Sequence, residues 1–157
     1  MSSPRLSFAA LSTRDVANLA LQRTGALKDI PGLGKYSYLA WRKGRNFPLL
    51  IESALRRKSI TRYCNELVAG DYAQFEALLP SSGIDRVTDI GSGYGLIDVF
   101  FHRRYGCNLQ LVDIESSQER DHNFAARGAG YCSLDTARRF LRDNGVPDAR
   151  IVTSNPD

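Results

Sequence analysis

Apolar residues before Pro80 recur at three- and four-residue intervals, and after it short apolar runs alternate with helical spacing. Everything ordered in the first part therefore reads as helical. Ser12-Thr13-Arg14-Asp15 has the form of a capping box, opening a helix that carries Val16, Leu19 and Ala20 and stops at Gly25. A turn-rich link, Pro31-Gly32-Leu33-Gly34, leads into Tyr36-Ser37-Tyr38-Leu39-Ala40-Trp41. Asn46 is placed to cap a helix with Pro48 in its first turn and Leu49, Leu50, Ala54 and Leu55 as its apolar face. Ser59 opens the clearest amphipathic pattern, with Ile60, Tyr63, Cys64, Leu67 and Val68 on one side and Gly70 as the break. A last helix, from about Asp71 to Leu79, turns Tyr72, Phe75, Leu78 and Leu79 inward, and Pro80 closes it.

Beyond Pro80 the period changes. Arg86–Ile90 reads as a strand ending in a glycine-rich turn, and Tyr94–Tyr105 as a helix packed through Leu96, Ile97, Phe100 and Phe101. That helix has Asp98 near its start, His102, Arg103 and Arg104 near its end, and Gly106 as its stop. Asn108–Asp113 is a second strand. Glu115 to Gly130 is polar and aperiodic; Ser133 then caps a helix bearing Leu134, Ala137, Phe140 and Leu141, and Arg150–Ser154 is a third strand. Strand–helix–strand–helix–strand order calls for parallel pairing with right-handed crossovers. The expected fold is α/β: a helical N-terminal cap over 1–80, then a parallel sheet of three strands with flanking helices over 81–157.

Composition narrows the class without naming a chemistry. Hydrophobic residues make up 43% and charged residues 24%, the balance of a folded domain. No stretch approaches the ~20 apolar residues of a membrane helix, and Phe8-Ala9-Ala10-Leu11 is too short for a signal-peptide core. A cytoplasmic protein is expected. Cys64, Cys107 and Cys132 are odd in number and lack framework spacing, which fits buried thiols; with only His102 and His122 beside them, no metal site is expected. The net charge of +4 is spread over short clusters such as Arg42-Lys43-Gly44-Arg45, Arg56-Arg57-Lys58, Arg103-Arg104 and Arg138-Arg139, three of them at or near predicted helix ends. It forms no dense basic stripe, so a small-molecule partner is favoured over nucleic acid.

The segment that carries chemistry is Asp89-Ile90-Gly91-Ser92-Gly93-Tyr94-Gly95, followed by Asp113 at the tip of the next strand, 22 residues after Gly91. Glycines at a strand-to-helix turn adopt positive φ and let a ligand approach. The helix amides favour a negative group, and an acid on the second strand tip reaches ribose hydroxyls. Together they indicate an adenosine-containing ligand at the carboxyl edge of the sheet. The dinucleotide pattern G-x-G-x-x-G needs its third glycine where Leu96 stands. The spacing D-x-G-x-G-x-G instead resembles motif I of class I (Rossmann-like) S-adenosylmethionine-dependent methyltransferases.

That resemblance covers residues 84–157. It implies S-adenosylmethionine as cofactor, held by Asp89, Gly91, Ser92, Gly93, Gly95 and Asp113, with Asp89 toward the methionyl end and Asp113 on the ribose. Asn144-Gly145-Val146 resembles the family's entry into its third strand. Two departures stand out. About twenty residues, Ile114 to Ser133, separate the acidic tip from the next helix, with Phe124 or Tyr131 available to cover an adenine ring. Asp157 stands near where the family often places an acid by the adenine amino group. The family's sheet runs 3-2-1-4-5-7-6 and builds its acceptor site largely after the fourth strand; the resemblance therefore implies a partial Rossmann-like sheet of three strands, order 3-2-1, in a chain made of an N-terminal cap plus the first half of the cofactor domain. The strand 86–90 edge then calls for cover, by the N-terminal helices or link, by a second copy of the chain, or by a missing C-terminal portion. No catalytic residue is assigned: His102 faces away from the cofactor edge and His122 sits in the irregular loop. The alternatives are a fragment of an NAD(P)-dependent oxidoreductase and a non-catalytic, truncated methyltransferase-like interaction protein.

Overall fold

Three short parallel strands carry the second half of the chain. In the computed structural model, which describes residues 5–23, 26, 34–45, 47–115 and 132–156, β1 (Arg86–Ile90), β2 (Asn108–Val112) and β3 (Ile151–Ser154) form one sheet in the order β1-β2-β3. Read from the other edge, this is the expected 3-2-1. The register pairs Asp89 with Leu111 and Ile90 with Val112 across β1 and β2, and Leu111 with Thr153 across β2 and β3. β2 is the central strand and β1 an outer one, with Ile90 82% exposed.

Helices fill the first half: α1 (Thr13–Gln22), α2 (Lys35–Arg42), α3 (Phe47–Leu55) and the long α4 (Arg57–Glu76). α5 (Leu96–Tyr105) joins β1 to β2, and α6 (Leu134–Asp143) precedes β3. The described residues fall into two compact units: 5–10, 65–115 and 132–156 in one, and those of 11–64 in the other. In the second unit α1 and α2 each pack on α3, around Ala17, Leu21, Trp41 and Leu49, with Tyr38 stacked on Trp41. Among the described residues no helix is long and apolar enough to cross a membrane.

Local chemistry accounts for most of the ends. Ser12 and Asp15 form the full capping box at α1, the Asp15 amide donating to Ser12 Oγ at 3.2 Å and the Ser12 amide to Asp15 Oδ2 at 2.8 Å. Ser133 Oγ accepts from the Thr136 amide at the start of α6, and the four predicted apolar residues, Leu134, Ala137, Phe140 and Leu141, are all buried. Gly106 ends α5 in the left-handed conformation at φ 63°. A 3-10 turn, Asp148–Arg150, precedes β3, so that strand begins one residue later than expected. Arg138 grips Asp148 through two 2.8 Å bonds and holds that carboxyl below its usual range.

The first half departs from the sequence pattern in three places. Gly70 does not break a helix: α4 runs through it for 20 residues, beginning before Ser59 and ending at Glu76. The buried residues Ile60, Cys64, Val68 and Tyr72 continue at four-residue spacing across the glycine, and that burial outweighs the ~1 kcal/mol a helical glycine costs. Because the helix stops at Glu76, Leu78 leaves its face and is 85% exposed, and Phe75 is half exposed. In α3 the buried residues are Leu49 and Ser53, one turn apart; Ala54 and Leu55 lie on the far side, with Leu55 81% exposed. α5 begins at Leu96, and Tyr94, expected in its first turn, is buried in the turn that precedes it. Gly25, Pro31-Gly32-Leu33, Asn46, His122, Phe124, Tyr131 and Asp157, all singled out above, lie outside the described residues.

The periodicity gave no hint of the tie made by Asn144. Its Oδ1 accepts from the Ser7 amide at 2.8 Å, and its Nδ2 donates to the carbonyls of Ser7 and Phe140, each at 2.9 Å. The Leu6 amide donates to Asn65 Oδ1 at 2.8 Å, and Phe8 packs on Phe140. The segment 5–8 is thus part of the same unit as the sheet.

Gly70 gives a direct check on α4. A Cβ there meets nothing within 4 Å, and its φ is not positive. Gly70→Ala is expected to raise stability by about 0.5–1 kcal/mol, read as a higher urea midpoint with unchanged slope. A lower midpoint would mean the helix is not continuous there.

Candidate functional site

The β1–α5 turn is built from backbone that only glycine adopts without strain. Gly91, Gly93 and Gly95 have φ of 75°, 53° and 65°. The Gly91 amide donates to the Val112 carbonyl at 2.8 Å, extending the β1–β2 ladder by one bond, and the Gly95 amide closes the turn on the Ser92 carbonyl at 2.9 Å. A Cβ on Gly95 would lie 3.3 Å from Asp98 Oδ2, 3.4 Å from Leu141 and 3.5 Å from Leu111. At Gly91 the same atom would meet nothing within 4 Å. One glycine is required by the packing beneath the turn; another stands where there is open space.

Asp113 follows β2 and turns back on the loop. Its Oδ2 accepts from the Gly93 amide at 2.5 Å and its Oδ1 from the Ile114 amide at 2.8 Å, while its own amide donates to Ser154. The carboxylate is thereby fixed over the carboxyl ends of β1 and β2, in the crevice where parallel α/β sheets offer their ligand sites. Of the six predicted site residues, five cluster directly: Gly91, Ser92, Gly93 and Gly95 form the turn and Asp113 closes it. Ser92 Oγ is buried and finds no hydrogen-bond partner.

The sixth, Asp89, is half-buried near the end of β1, at the base of the turn, and close enough to Asp98 on α5 for its charge to act on that carboxyl. Asp98, expected near the start of α5 where an acid complements the helix dipole, is there and is fully buried. Neither of its oxygens receives a hydrogen bond from an N–H or hydroxyl. Burial first, and then the charge and hydrogen bond of Asp89, push the Asp98 carboxyl far above the usual carboxylate range.

Two further contacts complete the surroundings. Cys132 Sγ donates to the Gly93 carbonyl at 2.7 Å, and Glu115 Oε1 accepts from the Leu134 amide at 2.8 Å, at the N-terminus of α6. Neither is visible in local sequence pattern, since each joins residues far apart in the chain. The three cysteines are free and buried. His102 Nδ1 lies 2.8 Å from the Cys107 carbonyl at the other end of α5, away from the turn. Among the described residues no three metal-ligating side chains cluster. No protein-family model, curated protein or solved structure matches the chain.

The buried pair makes stability depend on pH in a stated direction. In the unfolded chain Asp98 ionises from near its ordinary 3.8, whereas in the folded protein it keeps its proton up to about 8. Its contribution is complete below the unfolded value and is lost as pH rises through the folded one. The urea midpoint is expected to fall between about pH 5 and pH 8.5, and Asp98→Asn to flatten that fall. An equally steep decline in the variant would place the titration elsewhere.

Proposed function

We propose that this chain is the cofactor-binding portion of a class I S-adenosylmethionine-dependent methyltransferase. The observation that carries the reading is the Asp113 carboxylate held over the glycine turn by the Gly93 amide at 2.5 Å, at the carboxyl end of the central strand. An adenosyl ligand needs an acceptor for its ribose hydroxyls at that place. It also needs backbone it can approach closely, and the vacant space beside Gly91 supplies that. Asp89 at the turn's base suits the ammonium of the methionyl end. These residues fit the cofactor, whose bound form supplies an electrophilic methyl on a sulfonium.

On this reading the chain's own residues act by alignment. Asp113, Gly91 and Gly93 hold the nucleoside, and Asp89 with Ser92 holds the amino-acid end. Positioning of this kind is the larger part of catalysis in a direct displacement, where it supplies about 7–11 kcal/mol. The acceptor is proposed to be a small molecule in a cytoplasmic setting. Arg138 is committed to Asp148, Arg57 to the Leu11 carbonyl, and Arg104 lies 3.6 Å from Glu76, which leaves fewer free cations for a phosphate backbone. A nicotinamide cofactor is disfavoured because Leu96, buried, stands where close helix–strand packing asks for a third glycine.

Calorimetric titration with S-adenosylhomocysteine tests the proposal. Saturable binding is expected. Asp113→Ala should weaken it by about 1.5–3 kcal/mol, the range for a hydrogen bond to a charged group. Gly93→Val should abolish it, since a β-branched residue is strained at φ 53° and puts methyls where the ligand would lie. Unchanged affinity in Asp113→Ala would remove the ribose assignment.

Cofactor choice is a separate measurement. NAD and NADP are expected to give no saturable signal at roughly millimolar concentration, because that site lacks the third glycine. Saturation by either would overturn the methyltransferase reading in favour of an oxidoreductase.

A further inference from the structure

We propose that the exposed face of α3, with the basic residues at either end of it, is a docking surface for an anionic lipid bilayer, seated at one leaflet without crossing it. This surface belongs to the helical unit and stands whether or not the glycine turn binds a cofactor.

Apart from Glu52 and Ser53, α3 is apolar on every side. A helix of that composition is ordinarily enclosed by its own protein. Here only one side is. Leu49 and Ser53 are buried and Leu50 packs on the core of the helical unit. By contrast Phe47 is 72% exposed, Ile51 44% and Leu55 81%. These three follow one another a turn apart, so they form a stripe on one face of the helix. The next exposed positions at helical spacing are Lys58 and Arg62, in the first turns of α4. The Arg56 amide donates to the Glu52 carbonyl and the Ile60 amide to the Arg56 carbonyl, which carries the helical path from α3 into α4.

Positive charge gathers at both ends of the stripe. Lys43 and Arg45, both exposed, stand just before Phe47. From 42 to 62 the chain has seven basic residues and one acid, a net +6 within a chain whose total is +4, so the remainder is net negative. The one acid is engaged with the protein itself, Glu52 Oε2 accepting from the Gly34 amide at 2.9 Å. Arg57 is taken up by the Leu11 carbonyl. Among the described residues no carboxylate pairs with Lys43, Arg45, Lys58 or Arg62.

The occupant has to answer both features at once. A second copy of this chain fails on charge, since a two-fold contact along the stripe lays basic ends on basic ends. Nucleic acid answers the cations but gains nothing from Ile51 and Leu55, whose aliphatic side chains do not stack on bases as rings do. A bilayer with anionic headgroups answers both. The stripe enters the boundary of headgroups and acyl chains, about 5–10 Å deep, while lysine and arginine stems at its ends reach back to the lipid phosphates. Such attachment needs no spanning segment, and among the described residues no helix is long and apolar enough to be one.

The test is co-sedimentation of the full chain with vesicles of phosphatidylcholine alone and of phosphatidylcholine with about one-third phosphatidylglycerol. Binding is expected on the mixed vesicles, at least about tenfold weaker on phosphatidylcholine alone, and lost between roughly 0.1 M and 0.5 M salt. Leu55→Asn and Phe47→Asn, at exposed positions, should each weaken binding about tenfold with an unchanged thermal midpoint. Lys58→Gln with Arg62→Gln should weaken it about 25-fold together, at roughly fivefold for each charge. Should a variant not fold, amide hydrogen exchange on the unaltered protein decides. Slowing over 47–62 on mixed vesicles supports the proposal, and slowing confined to other residues overturns it. No binding to mixed vesicles, or equal binding to both kinds, overturns it. So does binding of an RNA oligonucleotide in place of vesicles, unchanged in Leu55→Asn, or a dimer in sedimentation velocity that Leu55→Asn dissociates.

Discussion

The close approach at Gly95 is the constraint on which the sheet unit turns. Its missing side chain lets the chain leave β1 in a left-handed conformation and enter α5 directly over Leu111 of β2 and Leu141 of α6. A Cβ there would crowd Asp98 Oδ2 and touch both leucines, on a backbone whose positive φ already disfavours any side chain. The contact fixes how closely α5 lies on the sheet, and with it where the turn's remaining amides point. Gly93 then presents its N–H to Asp113, and Gly91 continues the ladder to Val112. Packing below the turn and polar geometry above it are therefore one problem solved by one backbone path.

The same packing explains why an acid is tolerated beneath the turn. Asp98 occupies a fully buried place between the glycine and the sheet, where a leucine would give better apolar burial. A single buried carboxyl is stable there as a neutral acid, and Asp89 gives it a partner for its proton. The site thus has two carboxylates of different character. Asp113 accepts from two backbone amides at the surface of the turn, whereas Asp98 lies buried beneath it and keeps its proton.

The sequence made some of this legible because certain features depend only on neighbours along the chain. The capping box of α1, the Ser133 cap, the αL stop at Gly106 and the apolar face of α6 are each settled within a few residues. The parallel pairing of the strands followed from the alternation of elements, and the nearness of Asp113 to the glycine turn from its place at the tip of the second strand. Where the reading failed, a distant partner decided. Gly70 looks like a terminator until the buried stripe from Ile60 to Tyr72 is seen to pass across it. Leu55 and Leu78 look like core by type, but α3 turns another face inward and α4 ends before it reaches Leu78. Asp98 has the position of a dipole-complementing surface residue, and only the presence of Gly95 and Asp89 above and beside it takes it out of water.

Such long-range ties also show how the sheet unit is closed on its described side. Asn144, just past α6, answers both backbone groups of Ser7 and one of its own helix, a use of one amide side chain that leaves none of these groups unpaired. An amide group suits this place because it donates and accepts at once, as a strand neighbour would. The burial of Leu6 and the tilted packing of Phe8 on Phe140 then follow from the segment being held there. At the other edge β1 has no comparable strap among the described residues, and Ile90 stands open at its end, next to the turn. An apolar residue left open beside the glycine turn makes this the edge where binding has most to gain, since whatever seats there takes Ile90 out of water.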